Sequence, residues 1–466
     1  MPICAVVVAA SWSVANTTWA AELHDVVRRA VRTHPEVGAL RANNRAVRQD
    51  LRAARGAYLP QIDARAAVGH QWINDPTTRT RAGRRNGENG WVDMNRYEAG
   101  VNLRQLIFDG FQTDRTVERE MRRVKAAMYR VQDTAQAIAL RAIEAYLEVQ
   151  RTRHIVQVSQ RNVRIHRQIL SRVYARAKGG RGPRSDVDQA RARLYQAEAA
   201  LASARLQNRN ATALYIQAVG QPPEGPLSPV SAPESELPGN VDAAVEVAMR
   251  QAPAIRASAA DVRAAVSEIG VATSRFYPRV DAELSYSIQR GVDGTRGDSN
   301  NFIALLVGRW SLYTGGTDTA LRRKAIAQRE EARDKLDQSR REVAQQVRNA
   351  WNALNAARER RVAVRKELAA NRRVRIAYAR QFDRGQRTLL DLVDIQNEIF
   401  NNETTLMTEK YTIIFGVYRT LATMGRLLDI MQIELPYEAK RKPHKGLFRS
   451  MKDEIPKIGF SRKTRK

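Results

Sequence analysis

Cysteine is almost missing from this sequence, which has a single one, at position 4. Residues 3–15 are mostly small and apolar, and Thr18-Trp19-Ala20 is an acceptable cleavage site, so residues 1–20 are predicted to be a signal peptide. The apolar run is too short to span a membrane as a helix. Removing the signal peptide leaves no cysteine, which excludes disulfides and thiol chemistry and suits an exported protein.

Aromatic residues are also scarce: they make up 6% of the chain, whereas 27% of its residues are charged. This balance is unusual for a compact core and typical of long helices with solvated faces. The six histidines have no metal-ligand spacing, and no group of residues has a catalytic pattern, so we expect neither an enzyme nor a bound cofactor or metal. Gly179-Gly180-Arg181-Gly182 lacks the ending of a phosphate loop and is predicted to be a turn.

Positive charge, in contrast, is abundant, and the formal net charge is +29. Such an excess ordinarily indicates binding to nucleic acid or to an anionic surface such as lipid. Arginines on the solvated faces of long helices would also produce it, and we favour this interpretation. One candidate function is therefore that of a basic coiled-coil protein that binds nucleic acid or acts as a scaffold, and we keep it as the alternative hypothesis.

Four segments alternate between apolar and polar side chains with the period of two that is typical of strands. They come in two pairs, at about 61–72 with 96–104 and 280–289 with 302–312, joined by polar loops at 73–95 and 291–300. Each pair follows a helical segment that ends in Tyr-Leu-Pro or Phe-Tyr-Pro. Pro35 and Pro60 match Pro253 and Pro278 at the same separation. The chain is therefore predicted to contain two copies of one unit.

Each unit continues into a helical pattern that is too long for a globular domain. The patterns run from Thr113 to about Lys178 and from Thr317 to about Phe382, and each helix would be about 100 Å long. Apolar and small residues recur at spacings of three and four, as in a coiled-coil seam. Each long helix ends in a tip and is followed by a second helix.

These patterns give the predicted organisation of the chain. Six prolines between Pro222 and Pro238 mark a linker, and the residues from Tyr437 onward are basic. The predicted segments are a signal peptide (1–20), a first structural repeat (21–219), a proline-rich linker (220–239), a second structural repeat (240–435) and a basic disordered tail (436–466).

Four strands are too few to close a barrel, and their open edges cannot face lipid. Their length and alternation match those of membrane barrel strands, and three copies of the chain would supply 12. We therefore predict an α+β membrane protein, a trimeric 12-stranded β-barrel with four strands per chain, continued by a long α-helical coiled-coil barrel in the periplasm. Six aromatic residues flank the strands, either as a membrane-interface belt or through simple strand packing: Trp72, Phe108, Phe276, Tyr277, Trp310 and Tyr313.

The two tips are the candidate functional positions. Gly385 interrupts the second helical pattern, Thr388 is predicted to be the next N-cap, and Asp391 and Asp394 share one helix face. Gly180 and Asp186 repeat the spacing of Gly385 and Asp391. On spacing alone, the two acids could instead be ordinary first-turn residues that stabilise a helix N-terminus.

The Tyr-Leu-Pro and Phe-Tyr-Pro motifs, Leu106-Ile107-Phe108-Asp109-Gly110 and the paired tips resemble the TolC family of outer-membrane channels over about residues 21–435. The resemblance implies a homotrimer in outer-membrane lipid that extends into the periplasm. It implies the exit duct of a type I secretion or multidrug efflux system. The implied partners are a periplasmic adaptor (membrane fusion) protein and an inner-membrane ABC or RND transporter, and no nucleic acid is expected.

The resemblance also assigns roles to residues at the tips. It implies a periplasmic gate in which Arg387 pairs with Asp186 of a neighbouring coil and acids form a ring at the entrance. Phe382 stands where the family has tyrosine, and it cannot donate that tyrosine's hydrogen bond. The implied gate residues are Asp391, Asp394, Arg387, Phe382 and Asp186, and the implied adaptor contacts are Gly180 and Gly385.

Overall fold

The computed structural model describes residues 22–74, 76, 91–180 and 182–440. The predicted signal peptide, most of the predicted loop at 73–95, Arg181 and the tail beyond Lys440 lie outside the described residues. Within the described part, the same order of elements occurs twice: two helices, two strands and a pair of long helices.

The four strands form one antiparallel sheet in the order β1-β2-β3-β4. Their bounds are Gln61–Ile73 (β1), Val92–Phe108 (β2), Arg279–Val292 (β3) and Thr295–Arg309 (β4). The register pairs Val68 with Tyr97 and Tyr286 with Phe302, so apolar side chains share one face of the sheet. Val68 is 78% exposed and Leu306 72% exposed in the single chain. A face this apolar requires a lipid or protein neighbour.

The connection between β3 and β4 differs from the prediction, which placed a loop at 291–300. The strands extend until only Asp293 and Gly294 separate them. Both residues have positive φ, 51° and 72°. Asp-Gly is the favoured sequence for a two-residue hairpin turn in which both positions are left-handed. The polar residues that follow the turn therefore continue the ladder, because polarity alone does not end a strand.

Nine helices are described, and two of them dominate the molecule. The helices are Leu23–Thr33 (α1), Pro35–Gly56 (α2), Gln112–Lys178 (α3), Arg184–Val219 (α4), Val241–Gln251 (α5), Pro253–Ser274 (α6), Thr317–Asp383 (α7), Leu389–Thr423 (α8) and Leu427–Ile430 (α9). The helices α3 and α7 have 67 residues each, about 100 Å. Among the described residues, we find no helix whose apolar stretch is long enough to cross a bilayer.

The helices begin where local chemistry favours it. Pro35 and Pro253 occupy the first turn of α2 and α6, where the missing N–H costs nothing. Two consecutive left-handed residues precede each long helix: Gly110 with Phe111, and Gly315 with Gly316. These paired kinks turn the chain from the sheet into the long helix at equivalent points of the two units.

The main hydrophobic core lies between the sheet and the tips. Tyr146 of α3 and Tyr215 of α4 are fully buried there. The predicted linker 220–239 packs against this core and contains a short 3₁₀ helix, Glu234–Glu236. Its Ser228 carbonyl accepts hydrogen bonds from Tyr146 (2.9 Å) and from Gln150 (2.5 Å). The prolines therefore produce an extended segment that lies along the helices.

The predicted disorder of the tail is wrong for residues 436–440. Tyr437–Ala439 form a short 3₁₀ helix, and the Glu438 side chain is only 7% exposed. Its two oxygens accept hydrogen bonds from Arg41 (2.9 Å) and Arg45 (2.8 Å) of α2. Burial acts to raise the pKa of Glu438, but these hydrogen bonds outweigh it and lower the pKa. The prediction of disorder rested on the net positive charge of the tail, and it overlooked that Glu438 can bind the arginines of α2.

Candidate functional site

The two tips lie at the same end of the molecule because their helical hairpins pack side by side. The helices α3 and α4 form one hairpin, α7 and α8 form the other, and α8 packs against α3. The lateral order is therefore α7, α8, α3, α4. A buried apolar cluster joins all four helices near the tips: Ile169, Val173, Val187, Ala190, Phe382, Leu389, Leu392 and Val393.

Glycine is required at both tips by the backbone conformation. Gly180 has a φ of +70° and Gly385 a φ of +77°, and both follow the end of a long helix. A side chain at either position would be strained. A Cβ added at Gly385 would lie 3.3 Å from Nη2 of Arg176, whereas one added at Gly180 would meet open space. Gly180 therefore leaves backbone accessible to a partner.

Asp391 forms a reciprocal cap with Thr388 at the start of α8. The Thr388 hydroxyl donates to Asp391 Oδ2 at 2.8 Å, and the Asp391 N–H donates to the Thr388 hydroxyl at 3.4 Å. The Thr388 N–H also donates to Asp391 Oδ2, at 3.3 Å. The hydrogen bond from the Thr388 hydroxyl contributes most to lowering the pKa of Asp391. The hydrogen bond from the Thr388 N–H and the positive charge of Arg387 lower it further. In the single chain, Asp391 thus acts as a charged first-turn cap.

Arg387 is held by its own tip. Its Nη1 lies 3.4 Å from Asp391 Oδ1, and its Nε donates to Gln381 at 3.2 Å. Its guanidinium carbon lies 4.4 Å from the centre of the Tyr378 ring, a cation–π contact. Within the chain, Arg387 is not brought to Asp186, which has no ion-pair partner among the residues described. The predicted pairing of Arg387 with Asp186 of a neighbouring coil in the closed channel stays a prediction.

Asp394 connects the two hairpins. Its Oδ1 lies 3.7 Å from Nη2 of Arg193 on α4. Sequence reasoning treated Asp394 only as a partner of Asp391 and did not single out Arg193. The spacing of Asp391 and Asp394 places them on one helix face, but it cannot show which other helix that face meets. Arg193 therefore balances part of the negative charge that was assigned to the entrance.

Arg176 and Phe382 form a close contact between the two tips, and sequence reasoning missed it. Arg176 lies in the last turn of α3, and its Nη1 donates to the carbonyl oxygen of Phe382 at 2.6 Å. Its guanidinium carbon is 5.0 Å from the centre of the Phe382 ring, which is only 6% exposed. Because the accepting carbonyl lies at the C-terminus of α7, the helix dipole adds to the attraction.

His166 lies in the same interface, on α3, and is 2% exposed. Burial lowers its pKa, and the positive charge of Arg193 lowers it further, while a hydrogen bond to Asn397 acts in the opposite direction. The neutral ring is therefore favoured in the packed hairpins. No group of three potential metal ligands occurs among the described residues.

Comparisons with known proteins identify the family of this arrangement. The family model described as outer membrane efflux protein matches residues 26–221 and 244–413. The outer membrane efflux protein BepC of Brucella suis biovar 1 is 28% identical over 428 residues, which cover 91% of this chain and 89% of BepC. The alkaline protease secretion protein AprF of Pseudomonas aeruginosa is 23% identical over 417 residues, which cover 87% of this chain and 84% of AprF.

The fold is shared with solved channels. The structure of the CmeC outer membrane channel of Campylobacter jejuni matches with a TM-score of 0.74 at 15% identity, covering 87% of this chain and 86% of CmeC. The predicted fold of the chain is confirmed: a four-stranded antiparallel sheet and long helical hairpins, as in the solved channel.

The predicted location in the outer membrane with a periplasmic extension is also confirmed, and the comparisons do not support the nucleic-acid-binding or scaffold alternative. The family consists of channel proteins. The chain belongs to the outer membrane efflux protein family and is a subunit of an outer-membrane exit channel.

Proposed function

We propose that three copies of this chain form the exit duct of a type I secretion or multidrug efflux system, closed at the periplasmic end by the hairpin tips. An adaptor and an energised inner-membrane transporter would open it. The names of BepC, an efflux protein, and AprF, a protease secretion protein, support these two kinds of transport system. The observation that carries the proposal is the pair of cross-hairpin contacts, Arg176 to Phe382 and Arg193 to Asp394.

We call these two contacts the latch. They are weak enough to be broken when another protein binds the tips. A hydrogen bond from a charged donor contributes about 1.5–3 kcal/mol and a cation–π contact about 0.5–1 kcal/mol at exposed sites. The Arg193–Asp394 pair is partly exposed and contributes less, about 0–1 kcal/mol. Repeated in three chains, such contacts keep the tips together, yet an adaptor that binds the separated tips more tightly can overcome them.

The exposed backbone at the tips supports an adaptor contact there. At Gly180 a side chain would find open space, so a partner can approach the main chain closely. Gly385 lies against Arg176, so a partner bound at Gly385 would also contact the latch. Binding at the tips and release of the Arg176 contact would therefore be coupled.

An antibiotic-sensitivity assay tests the closed state. Cells that carry the native chain in their outer membrane should remain resistant to a large antibiotic that does not pass through porins. Cells with the double variant Arg176→Gln/Arg193→Gln should become sensitive at equal amounts of folded trimer. The double variant Arg172→Gln/Arg191→Gln removes the same charge at positions without a described contact to the second hairpin, and is the control. A native channel that is as leaky as the first double variant would refute the proposal.

A further inference from the structure

A cavity of about 230 Å³ lies between the two hairpins, farther from the tips than the latch. Its walls come from α3 and α7, and α8 closes its floor. The residues that matter are Arg161 and Asn162 on α3, Arg372 and Arg375 on α7, and Gln396 and Glu403 on α8. None of the candidate gate residues lines this cavity.

The charges around the cavity do not balance. Glu403 accepts a 2.6 Å hydrogen bond from Arg372, so these two charges compensate each other. Arg375 donates only to the neutral amide oxygen of Gln396, at 3.4 Å. Arg161 is exposed and has no ion-pair partner in the described parts of the chain. Two positive charges therefore face one small space without an anion.

Two buried amides line the cavity, Asn162 on the α3 wall and Gln396 on the α8 floor. Asn162 is 5% exposed and Gln396 is 2% exposed. Gln396 Nε2 donates to Asn162 Oδ1 at 3.1 Å, so the Gln396 carbonyl oxygen that holds Arg375 is fixed in place. The amide nitrogen of Asn162 has no hydrogen-bond partner among the described residues. The cavity thus offers one neutral donor, Asn162, in addition to the guanidinium groups of Arg161 and Arg375 that have no anionic partner.

We propose that this cavity binds a small oxyanion with two negative charges, of the phosphate or sulfate class. The charge matches the uncompensated charge of Arg161 and Arg375, and guanidinium groups bind the paired oxygens of such ions through parallel hydrogen bonds. A water molecule takes up about 30 Å³ of liquid, so the cavity holds a tetrahedral oxyanion with some of its water.

The site is internal to one chain. It lies between α3 and α7 above α8, and all the residues that line it belong to these three helices. A bound anion would contact the first hairpin through Arg161 and the second through Arg375, and would therefore strengthen the association of the two hairpins.

Calorimetric titration of the purified trimer with sodium sulfate, at constant ionic strength set with sodium chloride, tests this site. Saturable binding is expected, and Arg375→Gln should weaken it about tenfold or more, because a charge-assisted hydrogen bond is lost. Arg365→Gln removes the same charge from an exposed position of α7 outside the cavity, and should bind sulfate like the native protein. Should Arg375→Gln assemble poorly, Arg161→Gln serves instead, since Arg161 makes no described ion pair.

A second titration with inorganic phosphate tests the charge of the ligand. Phosphate affinity should rise as the pH increases from about 6 to about 8 and the ion gains its second charge, whereas sulfate affinity should stay nearly constant. Absence of saturable sulfate binding would overturn the proposal. Equal weakening by Arg365→Gln would also overturn it, because binding would then reflect only the general positive charge of the surface.

Discussion

Arg176 of the first hairpin touches Phe382 of the second in two ways. It donates a 2.6 Å hydrogen bond to the Phe382 carbonyl and stacks its guanidinium 5.0 Å from the centre of the Phe382 ring. A phenylalanine that cannot donate a hydrogen bond thus still takes part in a contact between the tips, because its ring and its main chain both attract a cation. The contact joins the C-terminal ends of the two longest helices.

The ring contribution can be separated from the main-chain contribution at Phe382. Phe382→Leu keeps the carbonyl acceptor and most of the apolar volume but removes the cation–π contact, so it should weaken the latch by about 0.5–1 kcal/mol. Channel recordings should show a modest rise in open probability, smaller than that of Arg176→Gln. An effect of Phe382→Leu equal to or larger than that of Arg176→Gln would show that the hydrogen bond contributes little.

Arg387 is predicted to pair with Asp186 of a neighbouring coil when the channel is shut. A partly exposed pair contributes about 1 kcal/mol, and three symmetric copies act together. Arg387→Ser should therefore raise single-channel conductance. Asp186→Asn should raise it similarly, and the two changes combined should add little, because they remove one interaction. Fully additive effects would mean that Arg387 acts only through its own tip, where it contacts Asp391 and Tyr378.

The acids at the tip predict the ion preference of the channel. Three copies of Asp391 and Asp394 would place six carboxylates near the entrance, and such a ring favours cations. Arg193 and Arg387 offset part of this charge, so the preference should be moderate. Asp391→Asn with Asp394→Asn should abolish cation preference and block by multivalent cations while trimers still form. Reversal potentials that show anion preference in the native channel would contradict the assignment.

His166 predicts a pH dependence of the hairpin interface. Because its pKa is lowered in the folded protein, the unfolded chain binds more protons near and below the usual pKa of 6.5. The free energy of unfolding should therefore be fully maintained above that pH and fall as the pH decreases below it. Arg193 on α4 and Asn397 on α8 are the charged and polar groups that act on the ring.

Thermal unfolding of the trimer at pH 7.5 and pH 5.5 measures this effect. The native Tm should drop at the lower pH, because protonation of His166 favours the unfolded chain. His166→Gln, which keeps a polar side chain without a titrating ring, should show a smaller drop. Identical pH dependence in both proteins would assign the effect to other groups.

The sequence was sufficient to predict that four strands and two long helices occur, because their signals are local, although it misplaced the bounds of β4. Alternating side chains and the prolines before β1 and β3 define the strands, and α3 begins at Gln112, next to the predicted Thr113. The left-handed glycines at both tips also follow from local chemistry. The family comparison then supports the assembly that four strands per chain require.

The contacts at the tips could not be predicted, because they depend on how separate helices meet. Arg176 looks like an ordinary cation in the last turn of a helix, and nothing in its neighbours points to Phe382, 206 positions later. The sequence around Arg193 likewise gives no sign that it pairs with Asp394. The buried anchor at Glu438 was hidden for a related reason, since two distant arginines of α2 determine its environment.

Single-channel conductance of Arg176→Gln in planar bilayers tests the central claim, that the Arg176–Phe382 contact holds the tips closed. The account predicts a conductance severalfold above that of the native trimer. Arg172→Gln, which removes the same charge one turn away at an exposed position, should match the native channel. Native-like conductance in a properly assembled Arg176→Gln trimer, or an equal rise in Arg172→Gln, would contradict the account.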